Sequence, residues 1–181
     1  MGFDSEAKGM HRAGIVSLHI RNAHLPILYL DGEDGAATFE FRTVWKIPAR
    51  LLVPVNFDET VITSIQAENP GVKGKVGNID TILEQEGDDS YSAVWLDYMC
   101  RFDARIHASV FGDALRVSQY ALVTFSTRAV DKTLTAEALT RTMKKIGKIV
   151  ESITPYKGKS DVENMIKFTI ARNTPNDRWL N

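Results

Sequence analysis

Asp103, Arg105 and His107 recur every second residue, and side chains two apart on a strand share a face, so an acid, a cation and an imidazole there have the makings of an acid–base group. Solvated strands carry such alternating charges routinely, each contributing little, and that reading is favoured. The four histidines, His11, His19, His24 and His107, show no ligand spacing that defines a metal site; His19, like His107, reads as a strand histidine on a polar face. Cys100, the only cysteine, keeps step with Leu96 and Phe102 on the core side, where a thiol is packed and inert. Ser92, Ser109 and Ser118 lack the G-x-S-x-G context of a hydrolase elbow. No catalytic residue, metal or cofactor is expected.

Two further segments invite a ligand and decline it. Gly71, Gly74 and Gly77 interleave with Lys73 and Lys75 in the manner of a phosphate-cradling loop, but the G-K-[ST] ending is missing and a mobile loop is the simpler reading. The acidic stretches Asp31 to Asp34 and Glu84 to Asp89 lack the alternating ligands of a calcium loop and read as solvated turns. What stands out is basic. Arg141, Lys144, Lys145, Lys148, Lys157 and Lys159 face a single acid, Glu151, in a chain of net charge −1. The first four follow helical spacing and form a stripe that suits an anionic surface such as lipid headgroups, a nucleic-acid backbone or an acidic protein face.

The elements that would position these residues follow from periodicity. Alternation predicts strands at Val16–Ile20, Leu25–Leu30, Phe39–Trp45 and Leu51–Phe57, with Asp31 to Gly35 as a hairpin turn and Pro54 pushing its strand toward an edge. Val61, Ile62 and Ile65 suit a short helix capped by Asp58 about as well as a strand, and the helix is taken; Asn69-Pro70-Gly71 stops it. Asn78 caps a second short helix on Ile79, Ile82 and Leu83, which Gly87 ends. The longest alternation, Val94 to Phe111, turns at Gly112-Asp113 and returns through Leu115 to Phe125 as a long antiparallel hairpin. Leu139, Met143, Ile146, Val150 and Ile153 then recur at helical spacing behind a Thr135 cap, and Leu134 can pack on Leu139 as a staple. Pro155 ends that helix, and Ile166, Phe168 and Ile170 make a last strand. The fold class expected is α+β: a mostly antiparallel sheet, two short helices and one long C-terminal amphipathic helix.

Composition agrees with one folded domain over residues 1–181, with flexible ends at about 1–12 and 172–181. At 181 residues, 44% hydrophobic and 25% charged, the chain is neither disordered nor a disulfide-stapled miniprotein. One cysteine fits a reducing intracellular compartment, and no stretch reaches the roughly 20 apolar residues of a spanning helix.

Phe39 to Pro48, the Val94–Phe125 hairpin and the basic Leu139–Ile153 helix together resemble, in organisation, the small matrix proteins of negative-strand RNA viruses, of the plant rhabdovirus type. That resemblance implies a non-catalytic, self-associating assembly protein in virions or at membranes. It would bind an anionic membrane surface or nucleoprotein through the basic stripe and take no small-molecule substrate. The proline-rich motif many members carry near the N-terminus is absent. The alternatives are a small cytosolic chaperone of the secretion-chaperone type and, third, an enzyme without a recognisable motif.

Overall fold

The computed structural model describes residues 6–98, 100–127, 132–157 and 164–172. Strands and helices alternate: α1 (Glu6–Ile20), β1 (Ile27–Leu30), α2 (Ala36–Thr43), β2 (Leu52–Asn56), α3 (Glu59–Glu68), β3 (Lys75–Val76), α4 (Ile79–Gln85), β4 (Ala93–Asp97), α5 (Ala104–Val117), β5 (Tyr120–Thr127), α6 (Lys132–Ile146), β6 (Lys148–Lys157) and β7 (Asn164–Ala171). The strands form one sheet in the order β3-β2-β1-β4-β5-β7-β6. β1 to β5 run parallel, and β7 is antiparallel to both β5 and β6.

Parallel strands need crossovers, and helical crossovers cover both faces of the sheet. One apolar cluster joins one sheet face to α4, α5 and α6 through Leu83, Phe111 and Met143. A second joins the other face to α1, α2 and α3 through Ile15, Phe41 and Ile65. Strands buried on both faces become apolar runs, as in Ile27–Leu30 and Ala93–Leu96. The chain leaves β1 toward β2 on one side and later lays β4 on the other. A crevice therefore opens at the carboxyl ends of β1 and β4, where open α/β sheets bind ligands.

The α+β, mostly antiparallel expectation is thus corrected to an α/β fold with a mostly parallel mixed sheet. The short helices behind Asp58 and Asn78 form with those caps, accepting from the Thr60 and Asp80 amides. Val16–Ile20 is helical, because His11, Arg12, Ile15, Val16, Leu18 and His19 are all buried, a helical rather than an alternating set. Phe39–Trp45 is mostly α2, with Phe41 buried and Phe39 exposed. The long Val94–Phe111 strand is β4 followed by α5, whose buried set, His107, Val110, Phe111, Ala114 and Leu115, has the helical period. The C-terminal helix stops at Ile146. A Cβ on Gly147 would lie 2.5 Å from the Ala171 carbonyl oxygen, so only glycine fits the close approach where β6 begins. Pro155 lies within β6, at the sheet edge, where a missing N–H is tolerated. Pro54 lies inside the sheet. The Leu52 and Asn56 carbonyls beside it accept from Lys73 and Gly77, so its missing donor faces the side where β3 pairs only with Val55 and Asn56.

Candidate functional site

The turn from β1 into α2 is organised by Asp31, 7% exposed. Its Oδ1 accepts from the Gly32 and Ala37 amides at 3.0 and 3.2 Å. Its Oδ2 accepts from the Thr38 amide at 2.9 Å and the Thr38 hydroxyl at 2.6 Å. With its one proton spent on Asp31, the Thr38 hydroxyl accepts from Tyr29, at 2.6 Å. Gly35 closes the turn in the left-handed region (φ 58°), which glycine adopts freely. Asp34 takes the Ala36 amide at 3.2 Å. Burial pushes the Asp31 carboxyl above its ordinary range against the pull of these donors, and burial together with the Asp31 charge pushes the Tyr29 phenol far up.

A helix N-terminus offers unpaired amides that commonly hold phosphate. Here Ala36, Ala37 and Thr38 each donate to a carboxylate of their own turn, and Phe39 donates to the Gly35 carbonyl. The positive end of α2 is neutralised from within.

The neighbouring strand ends continue this acidic lip. At the end of β2, Asn56 donates from Nδ2 to the Asp31 carbonyl at 2.9 Å and accepts the Asp58 amide on Oδ1, while Phe57 stands 85% exposed. Beyond β3, Asp80 in the first turn of α4 accepts from the Tyr98 hydroxyl at 2.9 Å. Burial first, then Asp80, raises the Tyr98 phenol so that it stays a donor. Asp97, the last residue of β4, accepts a short hydrogen bond from the Thr124 hydroxyl of β5. Five aspartates, Asp31, Asp34, Asp58, Asp80 and Asp97, thus sit at the strand ends or the turns leaving them.

The turn from β4 into α5 is built differently. Asp103 caps α5 by accepting the Arg105 amide at 2.9 Å and the Arg105 guanidinium at 2.8 Å, and those hydrogen bonds hold its carboxyl down at about 2. His107, 5% exposed, is packed by rings: Phe125 at 4.6 Å, Tyr98 at 5.1 Å and Phe102 at 5.7 Å. Its Nδ1 meets the Asp103 backbone at 2.9–3.0 Å, and its Nε2 lies 3.7 Å from Cys100 Sγ. The reading of Asp103, Arg105 and His107 as one strand face is corrected: on a helix they diverge, Arg105 to solvent and His107 inward. Cys100 is exposed, not a core thiol; desolvation still raises its pKa, so the thiol form is favoured. His19 is corrected too. Its Nδ1 lies 2.7 Å from the Ser92 hydroxyl and burial lowers its pKa.

The basic stripe is only partly preserved. Arg141, Lys144 and Lys145 lie exposed on α6 and line a groove with Ala104 and Ala108 of α5. Because α6 ends at Ile146, Lys148 belongs to β6 and lines a separate cavity with Arg21 and Arg172. Lys157 is the last residue of β6, and Lys159 lies outside the described residues, as does the Leu134 staple side chain. The residues sequence reasoning missed are those of the β1–α2 turn. The signal was there, an apolar run, then Asp31-Gly32-Glu33-Asp34-Gly35, then a potential helix; alternation at Phe39, Phe41 and Thr43 turned it into a hairpin.

No protein-family model matches the chain, and no curated protein matches it. Solved structures do. The 16S rRNA (adenine(1408)-N(1))-methyltransferase W203A mutant from Catenulisporales acidiphilia matches at TM-score 0.56 and 14% identity over 98% of this chain and 95% of that one. The N-terminal domain of EvdMO1, solved in the presence of SAH and D-fucose, matches at TM-score 0.61 and 12% identity over 95% and 85%. The bifunctional kinase-methyltransferase WbdD matches at TM-score 0.68 and 11% identity over 97% of this chain and 42% of that one.

At such identities the likeness shows the fold alone, one that this chain shares with these methyltransferase structures. The resemblance to viral matrix proteins is overturned. With it go the expectations of a non-catalytic self-associating assembly protein, of membrane or nucleoprotein partners, and of no small-molecule substrate. No helix among the described residues is long and apolar enough to cross a membrane.

Proposed function

We propose that this chain is an S-adenosylmethionine-dependent methyltransferase. The observation that carries the reading is the β1–α2 turn. Asp31 and Asp34 occupy the amides that a dinucleotide's pyrophosphate would need, and their charge repels phosphate at that position. A cofactor with a cationic end and no phosphate meets the opposite condition, because the strand ends there carry carboxylates. The residues present fit it. Asp31 to Gly35 would hold its amino-acid end, while Asp58 offers acceptor oxygens for a sugar diol and the exposed Phe57 ring a stacking face for a purine. When bound, the cofactor supplies an electrophilic methyl group on a sulfonium.

The chain's own contribution is position and field. Asp97 and Asp80 are fixed by Thr124 and Tyr98, so their negative charge needs no reorganisation beside a cationic reacting centre. Similarity to methyltransferase structures along nearly the whole chain supports the same reading.

Titration calorimetry of the full chain tests it. S-adenosylhomocysteine and S-adenosylmethionine are expected to bind, NAD and ATP to release no heat of binding, and Asp31→Asn to weaken S-adenosylhomocysteine at least tenfold. Binding of NAD or ATP as tight as that of S-adenosylhomocysteine, or no binding of the latter, would overturn the reading.

A further inference from the structure

We infer that the groove between α5 and α6 holds the sugar–phosphate backbone of a nucleic-acid strand, the methyl acceptor; as a statement about the substrate, this rests on the methyltransferase reading. The groove encloses about 540 Å³ and is lined by Ala104, Ala108, Arg141, Thr142, Lys144, Lys145 and Ile146. Arg141, Lys144 and Lys145 stand three and four residues apart, so one side of α6 presents all three cations to it. No carboxylate lines the groove, and none of the three cations is in an ion pair among the described residues. Arg101, exposed, extends the positive surface beyond the N-terminal end of α5 toward Cys100 and the end of β4, while Arg105 is neutralised by its ion pair with Asp103. Four cations, Arg141, Lys144, Lys145 and Arg101, therefore lie between the flank of the molecule and the loop that leaves β4.

The occupant follows from what the groove offers and lacks. Insertion into a bilayer requires an apolar helix face, but Leu139 and Met143 of α6 are buried in the core at 0% and 1% exposure and Ile146 packs partly against it. A protein partner needs a central aromatic or large aliphatic anchor site, and the lining here is two alanines, a threonine and one isoleucine among the cations. A regular polyanion needs neither. It takes spaced cations over a small-residue floor, and its affinity comes from counterion release.

The test is fluorescence anisotropy of the full chain with labelled single-stranded RNA and DNA 20-mers, beside calorimetry with S-adenosylhomocysteine. For three to four backbone contacts, log K should fall against log salt with a slope of about −2 to −3. The triple variant Arg141→Ala/Lys144→Ala/Lys145→Ala should bind the strand at least tenfold more weakly at 0.1 M salt, about two units shallower in slope, with S-adenosylhomocysteine binding unchanged. The RNA and DNA arms identify which backbone is preferred. The inference is overturned if the wild type binds neither strand at low salt, if the variant binds both as tightly as the wild type, or if the substitutions abolish only adsorption to phosphatidylserine vesicles. The two readouts separate the failures: loss of strand binding in the variant with no S-adenosylhomocysteine binding in either protein sinks the cofactor reading and leaves the polyanion groove, and the converse sinks the groove alone.

Discussion

The two turns that flank the crevice, β1 into α2 and β4 into α5, solve one problem by opposite means. Each must end a buried strand and start a helix, and each uses an aspartate for it. Asp31 is buried and accepts four hydrogen bonds, so its turn is held by polar contacts around a desolvated charge. Asp103 is part-exposed and bound to Arg105, and the turn behind it is anchored by rings packed around His107. The first turn is rigid because removing any acceptor strands a buried donor; the second because removing bulk opens a cavity. A carboxylate held by its own turn thus lies on the β1 side and a ring-packed helix start on the β4 side, while Asp97 carries the acidic row of strand ends on to β4.

The largest effect that distinguishes them is expected for Asp31→Ala. It leaves the Ala37 and Thr38 amides and the Thr38 hydroxyl buried without their acceptor, at about 1–3 kcal/mol each, partly offset by release of the buried charge. Urea unfolding should show a net loss of about 3–4 kcal/mol. His107→Ala comes next, at about 2–3 kcal/mol from the lost ring contacts and the space left among Tyr98, Phe102 and Phe125. His107→Phe should restore most of it, because packing and not the Nδ1 contact carries that turn. A His107→Phe variant as unstable as His107→Ala would break the contrast and make the β4–α5 turn a hydrogen-bonded one as well.

These turns also mark where the sequence was readable. The caps Asp58 and Asn78, each an Asx residue before an apolar helical set, were legible because capping is local chemistry. β2 and β7 were legible because short apolar or alternating runs leave few alternatives. α5 was not. Between Val94 and Val110 apolar and polar residues happen to alternate, and only burial shows that Ile106 is 57% exposed while His107 is buried. Asp103 caps α5, a local signal that a reading by alternation does not use. The parallel sheet hung on that error, since reading α5 as strand left no crossover between β4 and β5. The site went with it: Asp31 functions only where a helix follows β1, and a presumed hairpin gave its carboxylate nothing to hold.

The smallest expected effect separates the two aspartates by sign. Burial raises the Asp31 carboxyl above the unfolded value of 3.8, so as pH falls the native chain takes up that proton first. The stabilisation from this difference is fully present below pH 3.8 and is lost as pH rises through the raised native value. Asp103 runs the other way. Held down at about 2 by Arg105, it contributes stability that is present above pH 3.8 and disappears as pH falls through about 2. In urea midpoints the wild type should therefore gain on Asp31→Asn between pH 7 and pH 4, and lose on Asp103→Asn between pH 4 and pH 2. If the wild type instead lost ground to Asp31→Asn on the way down to pH 4, the four donors would outweigh desolvation at Asp31. The buried carboxylate would then be a stabilised anion, like its exposed counterpart.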